Sequence, residues 1–121
     1  MKNAINWFEI PATNFERAVR FYSEILKIEM HRETIAGSQM GIFQSEDGVG
    51  GAVVSGDGYE PTDKGSLIYL NGGEDLAAPL SRVEKAGGKV IVPKTQITPE
   101  IGFFALFIDT EGNKVALHSP H

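Results

Sequence analysis

The sequence predicts an α+β fold in which two tandem βαβββ modules form a cupped mixed sheet. Two observations support this prediction. The order of one strand, one helix and three strands occurs twice along the 121 residues, and the two halves share residues at matching positions. A repeat of this kind indicates a duplicated structural unit. The matching positions are Phe43 with Phe107, Ser45 with Asp109, Asp47 with Glu111, Gly48 with Gly112, Asn14 with Asp75, and Ala18 with Pro79.

The elements of the first module follow from its hydrophobic spacing. Ala4–Ile10 is rich in large apolar residues, which predicts a strand buried on both faces. Thr13 and Glu16 have the spacing of a capping box, so Thr13 is expected to be the N-cap of a helix. The helix is expected to bury one stripe, made of Phe15, Ala18, Val19, Tyr22 and Leu26. Three strands are expected near Ile28–Thr34, Gln39–Gln44 and Gly51–Ser55.

The second module follows a loop. Ser55–Gly65 contains three glycines and a proline, which predicts a linker between modules of about residues 1–56 and 66–121 within a single domain. Ser66–Asn71 is expected to be a strand, and Glu74–Ala86 a helix that ends at Gly87. The remaining strands are expected near Lys89–Val92, Gly102–Ile108 and Lys114–His118.

Composition excludes several classes of function. Sixteen acidic residues against eleven basic ones give a net charge of −5, so a nucleic-acid partner is not expected. The absence of cysteine excludes disulfides, thiolate nucleophiles and cysteine-bound metal clusters. The apolar run Phe103–Ile108 is too short to span a bilayer, and the first residues show no apolar signal segment. A cytoplasmic protein without a membrane partner is therefore expected.

Three segments carry a resemblance to a known family. They are Trp7–Leu26 (WFEIPATNFERAVRFYSEIL), Gly87–Ile97 (GGKVIVPKTQI) and Gly102–Ser119 (GFFALFIDTEGNKVALHS). In these segments the chain resembles the vicinal-oxygen-chelate superfamily of glyoxalases, bleomycin-resistance proteins and extradiol dioxygenases. It looks most like the single-domain proteins described as lactoylglutathione-lyase-related. The resemblance implies a glyoxalase-like fold, a cleft for a small molecule and a homodimer.

The resemblance also implies where a divalent metal would be held. In the superfamily, the first and last strands of each module direct side chains into the cleft, and these positions hold the metal of glyoxalases and dioxygenases. The matching residues here are Trp7, Tyr69 (or Ile68, one register away), Ala52 and Ala116. None of them is His, Glu or Gln, so no cofactor is expected and a divalent metal is disfavoured. A rearranged, weaker metal site on Glu9 and His118 remains an alternative.

The other cleft residues follow from the alternation of side chains along a strand. Glu9 shares a face with Trp7, Asn71 with Tyr69, and His118 with Ala116. The sequence thus predicts two groups of site residues. The expected catalytic residues are Glu9 and His118, and the expected substrate-binding residues are Trp7, Tyr69, Asn71, Ala52, Val54 and Ala116.

Glu9 admits two interpretations. A carboxylate in an otherwise apolar strand carries a desolvation cost and needs a compensating partner. Functionally it would be a general base, or an anchor for a cationic or hydroxylated ligand. Structurally it would bind a neighbouring strand, Arg17 or Arg20.

The other candidates also have structural alternatives. His118 would be a proton shuttle, a single metal ligand or a hydrogen-bonding group at the cleft edge, or it would simply be exposed. Trp7 and Tyr69 would stack on a ligand ring or belong to the core. Asp109–Asn113 is expected to be a hairpin turn with positive φ at Gly112 rather than a catalytic loop.

Three functions for a small-molecule partner therefore remain open. The first is a metal-free lyase or isomerase in which Glu9 abstracts a proton and Tyr69, Asn71 or His118 polarises the neighbouring oxygen. The second is a non-enzymatic sequestration protein of the bleomycin-resistance type, with a flat cationic ligand held between aromatic residues. The third is a metal-dependent enzyme with the rearranged site.

Overall fold

The computed structural model describes residues 3–121; Met1 and Lys2 of the predicted first module lie outside them. The described chain contains the two βαβββ repeats in order. The first module consists of β1 (Trp7–Pro11), α1 (Phe15–Leu26), β2 (His31–Ile35), β3 (Ser38–Phe43) and β4 (Gly50–Ser55). The second consists of β5 (Tyr69–Asn71), α2 (Ala77–Val83), β6 (Lys89–Thr98), β7 (Gly102–Ile108) and β8 (Lys114–Ser119).

Each module forms its own mixed sheet, and the two sheets have the same topology. The strand orders are β1-β4-β3-β2 and β5-β8-β7-β6. In both sheets the opening strand runs parallel to the last strand, and the other neighbours are antiparallel. This identity of order and direction confirms the predicted α+β class with two βαβββ units.

Several element boundaries differ from the prediction. β1 begins at Trp7 rather than Ala4, and α2 and β5 are shorter than expected. The prediction that β1 is buried on both faces is wrong, because only one face of its sheet is covered by a helix. Ile10 is buried on that face, whereas Trp7 and Glu9 are exposed on the other. Within residues 3–121, no helix has the length and apolar character needed to cross a membrane.

The start of α1 also differs from the expected capping box. Asn14, not Thr13, is the N-cap, and its Oδ1 accepts the backbone N–H of Arg17 at 3.1 Å. Glu16 does not fold back to close a box, since its carboxylate pairs with Arg32 at 2.6 Å. The backbone N–H of Thr13 is instead satisfied by a side chain from the second module.

Helix α1 is buried more widely than one stripe because it packs against both modules. The expected Phe15 and Tyr22 are buried, and so are Phe21 and Ile25, which the stripe did not include. The ring of Phe21 lies 5.8 Å from that of Phe107 in β7. One continuous cluster of buried apolar residues therefore includes members of both modules.

The turn between β7 and β8 joins the modules through one carboxylate. The side chain of Glu111 is 1% exposed. Its Oε1 accepts the backbone N–H groups of Thr13 (2.9 Å) and Asn14 (2.7 Å) and a longer bond from Arg17 Nη2 (3.2 Å). Its Oε2 accepts Arg17 Nε (2.6 Å) and Thr110 Oγ1 (3.0 Å). We call this arrangement the Glu111 clamp, since it fixes the second module to the start of α1.

The clamp requires an ionised carboxylate. Burial opposes the charge of Glu111, but the hydrogen bonds from Arg17, Asn14 and Thr110 and the charge of Arg17 outweigh it. The net effect lowers the pKa of Glu111 below its usual value. The pKa of Arg17 is raised in turn, mainly by the hydrogen bond that it donates to Glu111 and further by the negative charge of Glu111.

Asp109, which is buried, stabilises the same turn by accepting hydrogen bonds. Its Oδ1 accepts the backbone N–H groups of Glu111 (2.8 Å) and Asn113 (2.9 Å). Its Oδ2 accepts the hydroxyl of Tyr22 at 2.7 Å, and burial followed by the charge of Asp109 raises the pKa of Tyr22 well above its usual value. Asn113 Nδ2 donates to the carbonyl of Pro11 at 2.7 Å. Asp109–Asn113 is therefore a hairpin turn, as predicted, and also a junction between the modules.

Replacing Glu111 tests the clamp. Glu111→Ala would leave the backbone N–H groups of Thr13 and Asn14 and the guanidinium of Arg17 without their acceptor. We expect the free energy of unfolding in urea to fall by about 2–4 kcal/mol. Asp47→Ala is the matched control, because Asp47 is the repeat equivalent of Glu111 and is exposed. Its expected effect is within about 0.5 kcal/mol, and equal losses in the two variants would disprove the special role of Glu111.

The clamp also predicts a pH dependence. The pKa of Glu111 is lower in the folded chain than its usual value of 4.5. Its contribution to stability is therefore complete above the unfolded-state pKa and disappears as the pH falls through the folded-state value. The difference in unfolding free energy between the native chain and Glu111→Gln should be constant from about pH 7 to 6 and shrink below about pH 4.5. A difference that stays constant down to about pH 3 would contradict an ionic clamp.

Candidate functional site

Each sheet has one face turned away from the helices, which we call its open face. In the first sheet, Phe8 and Ile10 pack in or against the core, so the alternating Trp7 and Glu9 lie on the open face. In the second sheet, Leu70 and Leu117 belong to the core, which places their neighbours on the open face. The predicted site residues therefore lie on the open faces, as strand alternation requires.

Glu9 is held by two aromatic donors. Trp7 Nε1 donates to Glu9 Oε2 at 3.2 Å, and the hydroxyl of Tyr59 donates to Glu9 Oε1 at 2.9 Å. The hydrogen bond to Glu9, together with its charge, raises the pKa of Tyr59. At neutral pH this pairing joins a protonated phenol to an exposed carboxylate, which is still open to a ligand.

This environment corrects two expectations about Glu9. The residue is exposed, so it does not carry the desolvation cost that a buried strand would impose. Its partners are not Arg17 or Arg20, and Arg17 is engaged in the Glu111 clamp. Trp7 is 42% exposed and is not a core residue. On this open face, the carboxylate of Glu9 therefore lies between two aromatic side chains, those of Trp7 and Tyr59.

The second open face brings Tyr69, Asn71 and His118 together. Tyr69 is 53% exposed and lies beside Ala116 in the strand register, while Asn71 lies beside His118. His118 is half-buried, and its Nε2 is 2.6 Å from the carbonyl oxygen of Ile101. A carbonyl can only accept, so Nε2 carries a hydrogen and Nδ1 remains available to a ligand.

The predicted residues do not line a single cleft within one chain. A depression of about 750 Å³ lies against Tyr69, Asn71 and His118. Glu9 lines a separate depression of about 200 Å³, and Trp7 another of about 880 Å³. A proton relay from Glu9 to His118 therefore has no common cavity in the single chain.

The small residues of the predicted site lie beneath its surface. Ala52 lies beside Glu9 and Val54 beside Pro11 in the strand register. The side chains of Ala52, Val54 and Ala116 are fully buried. A ligand on the open faces would therefore meet Glu9 or Tyr69 before it met any of these three residues.

The residues present do not fit a divalent metal. The positions implied by the resemblance provide an indole, a phenol and two methyl groups, none of which supplies the carboxylate or imidazole donors of such sites. Glu9 and His118 line different depressions, so the rearranged site has no shared centre. Among residues 3–121, no three acidic or histidine side chains are grouped closely enough to hold a metal ion.

Two features of the open faces were not anticipated. Tyr59 lies in the glycine-rich loop after β4, and its contact with Glu9 spans fifty residues of sequence. In the sequence, Tyr59 is the single aromatic residue of Ser55–Gly65, and this was the signal that the loop contributes a side chain to the site. His31 and Glu33 occupy the open face of β2, where the imidazole Nε2 lies 2.7 Å from the Glu33 carboxylate.

Comparisons with known proteins agree with this architecture. A glyoxylase-like domain-containing protein from Didymella fabae is 34% identical over 122 residues, which cover 93% of this chain and 91% of that protein. A glyoxalase I mutant from Zea mays superposes with a TM-score of 0.71 at 16% identity, over 95% of this chain and 46% of that one. The chain thus spans about half the length of the maize protein.

A solved structure of similar length to this chain shows the same fold over almost its whole length. A glyoxalase/bleomycin resistance protein from Albidiferax ferrireducens superposes with a TM-score of 0.71 at 13% identity, over 97% of this chain and 98% of that one. The solved structures establish a shared fold. The family model for the Glyoxalase/Bleomycin resistance protein/Dioxygenase superfamily matches residues 4–117. The resemblance of the sequence motifs is confirmed, and this chain belongs to the glyoxalase/bleomycin resistance protein/dioxygenase superfamily.

Proposed function

We propose that this protein binds a small organic molecule on the open face beside Glu9, without a metal ion. The observation that carries the proposal is the Trp7–Glu9–Tyr59 arrangement. It presents a carboxylate between two aromatic side chains, with both carboxylate oxygens already oriented by hydrogen bonds. Such a surface suits a ligand with a flat ring and a cationic or hydroxylated group.

In the enzymatic form of this proposal, the protein is a lyase or isomerase of the glyoxalase type and Glu9 is the base. Glu9 would take a proton from a carbon next to a carbonyl group, and the negative charge would move to the carbonyl oxygen. Tyr59 is the nearest neutral donor for that oxygen: its single O–H, which donates to Glu9 Oε1 at 2.9 Å, would turn to the carbonyl oxygen as Glu9 takes up the proton. Glu9 would then return the proton to the neighbouring carbon of the ligand. Tyr69, Asn71 and His118 would assist only from another copy of the chain or after a rearrangement.

The alternative is sequestration without chemistry, as in a bleomycin-resistance protein. It is favoured by the exposure of Trp7 and Tyr69, which offers two ring surfaces for stacking. The net charge of −5 also favours a cationic ligand. In this case Glu9 would neutralise the ligand charge and the ligand would leave unchanged.

A homodimer would bring the separated open faces together. Apolar side chains that monomers usually bury remain exposed on or beside these faces, namely Trp7, Ile35, Tyr69, Ile97 and Ile101. A second copy with two-fold symmetry would cover them and place residues from two chains around one ligand. We therefore propose a cytoplasmic homodimer as the functional form.

The fluorescence of Trp7 provides a direct test of the site. Trp7 is the only tryptophan in the sequence and its indole donates to Glu9, so quenching reports on a ligand bound near this arrangement. We expect a screen of small aromatic amines and hydroxyketones to give saturable quenching. Glu9→Gln should weaken binding of the cationic hits by about tenfold, because it removes the carboxylate charge but keeps the side-chain shape.

Glu33→Gln is the matched control, since it removes a carboxylate from the same open face three strands away. It should leave the binding constant unchanged. Liquid chromatography with mass spectrometry, together with proton nuclear magnetic resonance of the recovered ligand, separates the two forms of the proposal, because an isomer has the same mass as its substrate. An altered ligand supports the lyase or isomerase and an intact one supports sequestration, whereas equal affinity of the native chain and Glu9→Gln would disprove the site.

A further inference from the structure

The clamp that closes one junction between the modules has no equivalent at the other. By the internal repeat, Ser45 and Asp47 correspond to Asp109 and Glu111, and Ala78 corresponds to Arg17. An alanine cannot form the ion pair that Arg17 forms with Glu111. Ser45 Oγ instead accepts the backbone N–H of Gly48 within its own turn, at 3.0 Å.

An open groove occupies this second junction. It has a volume of about 820 Å³ and runs between the turn after β3 and the segment from β5 into α2. It is lined by Ser45, the counterpart of Asp109, and by Ala78, the counterpart of Arg17. The groove lies on the helix side of the sheets, so it is distinct from the open face that carries Glu9.

The floor of the groove is apolar and its rim is acidic. Phe43 and Leu70 are buried in the core, with half-buried Phe8 and Leu26 beside them. The carboxylates at the rim belong to Glu46, Glu74 and Asp75, all of which are exposed. An apolar floor of this size accommodates an aromatic ring.

The charged groups already engaged at the rim leave an acidic excess. Asp75 is paired with Lys94 at 2.8 Å, and Glu74 has only His121 Nε2 nearby, at 3.9 Å. Arg82 also lines the groove and donates its Nε to the carbonyl of Ile25 at the end of α1, a neutral acceptor that does not cancel the guanidinium charge. Three carboxylates therefore face Arg82 and the Lys94 that pairs with Asp75, which leaves an excess of one negative charge, and among the described residues Glu46 and Glu74 have no Lys or Arg partner.

From this combination we propose that the groove is a second binding site, which takes a small organic cation with an aromatic or aliphatic body. The apolar part lies against Phe43 and Leu70, and the ammonium group lies between Glu46 and Glu74. The site does not depend on the function proposed for the Glu9 face. At the position where Arg17 pairs with Glu111 in the other half, this half has Ala78, which forms no such ion pair and lines the open groove.

A matched pair of probes tests the proposal by nuclear magnetic resonance. The probes are 2-phenylethylammonium chloride and 2-phenylethanol, which share a ring and chain but differ in charge. In titrations of the ¹⁵N-labelled protein, the ammonium probe should shift the amide signals of Gln44, Ser45, Gly72 and Ala78. It should bind about fivefold more tightly than the alcohol, since two exposed carboxylates face the charge.

Three variants locate the interaction. The double variant E46Q/E74Q should bring the two probes to equal affinity, whereas E60Q/E100Q, which removes the same charge elsewhere on the surface, should change nothing. Ala78→Leu should weaken both probes by filling the groove. Glu9→Gln should leave the groove shifts unaltered, which separates this site from the Glu9 face.

Three outcomes would contradict the proposed groove site or its preference for a cation. Shifts confined to the Trp7 indole signal would place the probe on the Glu9 face and overturn the groove site. Equal affinity of the two probes for the native chain would overturn the cationic preference. If E46Q/E74Q and E60Q/E100Q weakened the ammonium probe equally, the preference would come from the net charge of the protein and not from the groove.

Discussion

The buried carboxylate of Glu111 is the interaction on which the arrangement of the two modules depends. It comes from the second module, yet it satisfies the backbone N–H groups of Thr13 and Asn14 and binds Arg17 in the first. With the start of α1 fixed in this way, Phe21 and Tyr22 reach β7, and one apolar core includes both modules. An unpaired charge at this depth would cost several kcal/mol, so the geometry of the turn is tightly constrained.

The same arrangement leaves two kinds of surface accessible, the open faces of the sheets and the groove at the second junction. Because α1 and α2 cover only one face of each sheet, the opposite faces keep Glu9 and His118 accessible without disturbing the core. Because the clamp is formed at one junction only, the other junction keeps a groove beside Ala78. The residues of the Glu111 clamp are therefore different from those proposed to face a ligand, although Phe43 and Leu70 belong both to the shared core and to the floor of the groove.

Local pattern predicted the fold more fully than the site. The repeat predicted the order of strands and helices along the chain, and β7 was predicted with both its boundaries, because glycine and the apolar run mark its ends. Long-range contacts were not predictable: Glu111 accepts the backbone N–H groups of Thr13 and of Asn14, the N-cap, although it lies ninety-seven residues from Asn14. Alternation correctly placed Trp7 and Glu9 on one face, but it could not show that the face is exposed or that Tyr59 contacts Glu9.

We propose that this member of the superfamily recognises its ligand through Glu9 and aromatic rings instead of through a metal. The most direct test is the metal content of the untagged protein. The protein would be stripped with chelator, incubated separately with nickel, cobalt, zinc, manganese and ferrous ions, desalted and analysed by mass spectrometry. Because the donor set is incomplete, we expect a metal content near zero for every ion. A content of about one ion per chain, lost in Glu9→Gln or His118→Ala, would contradict it.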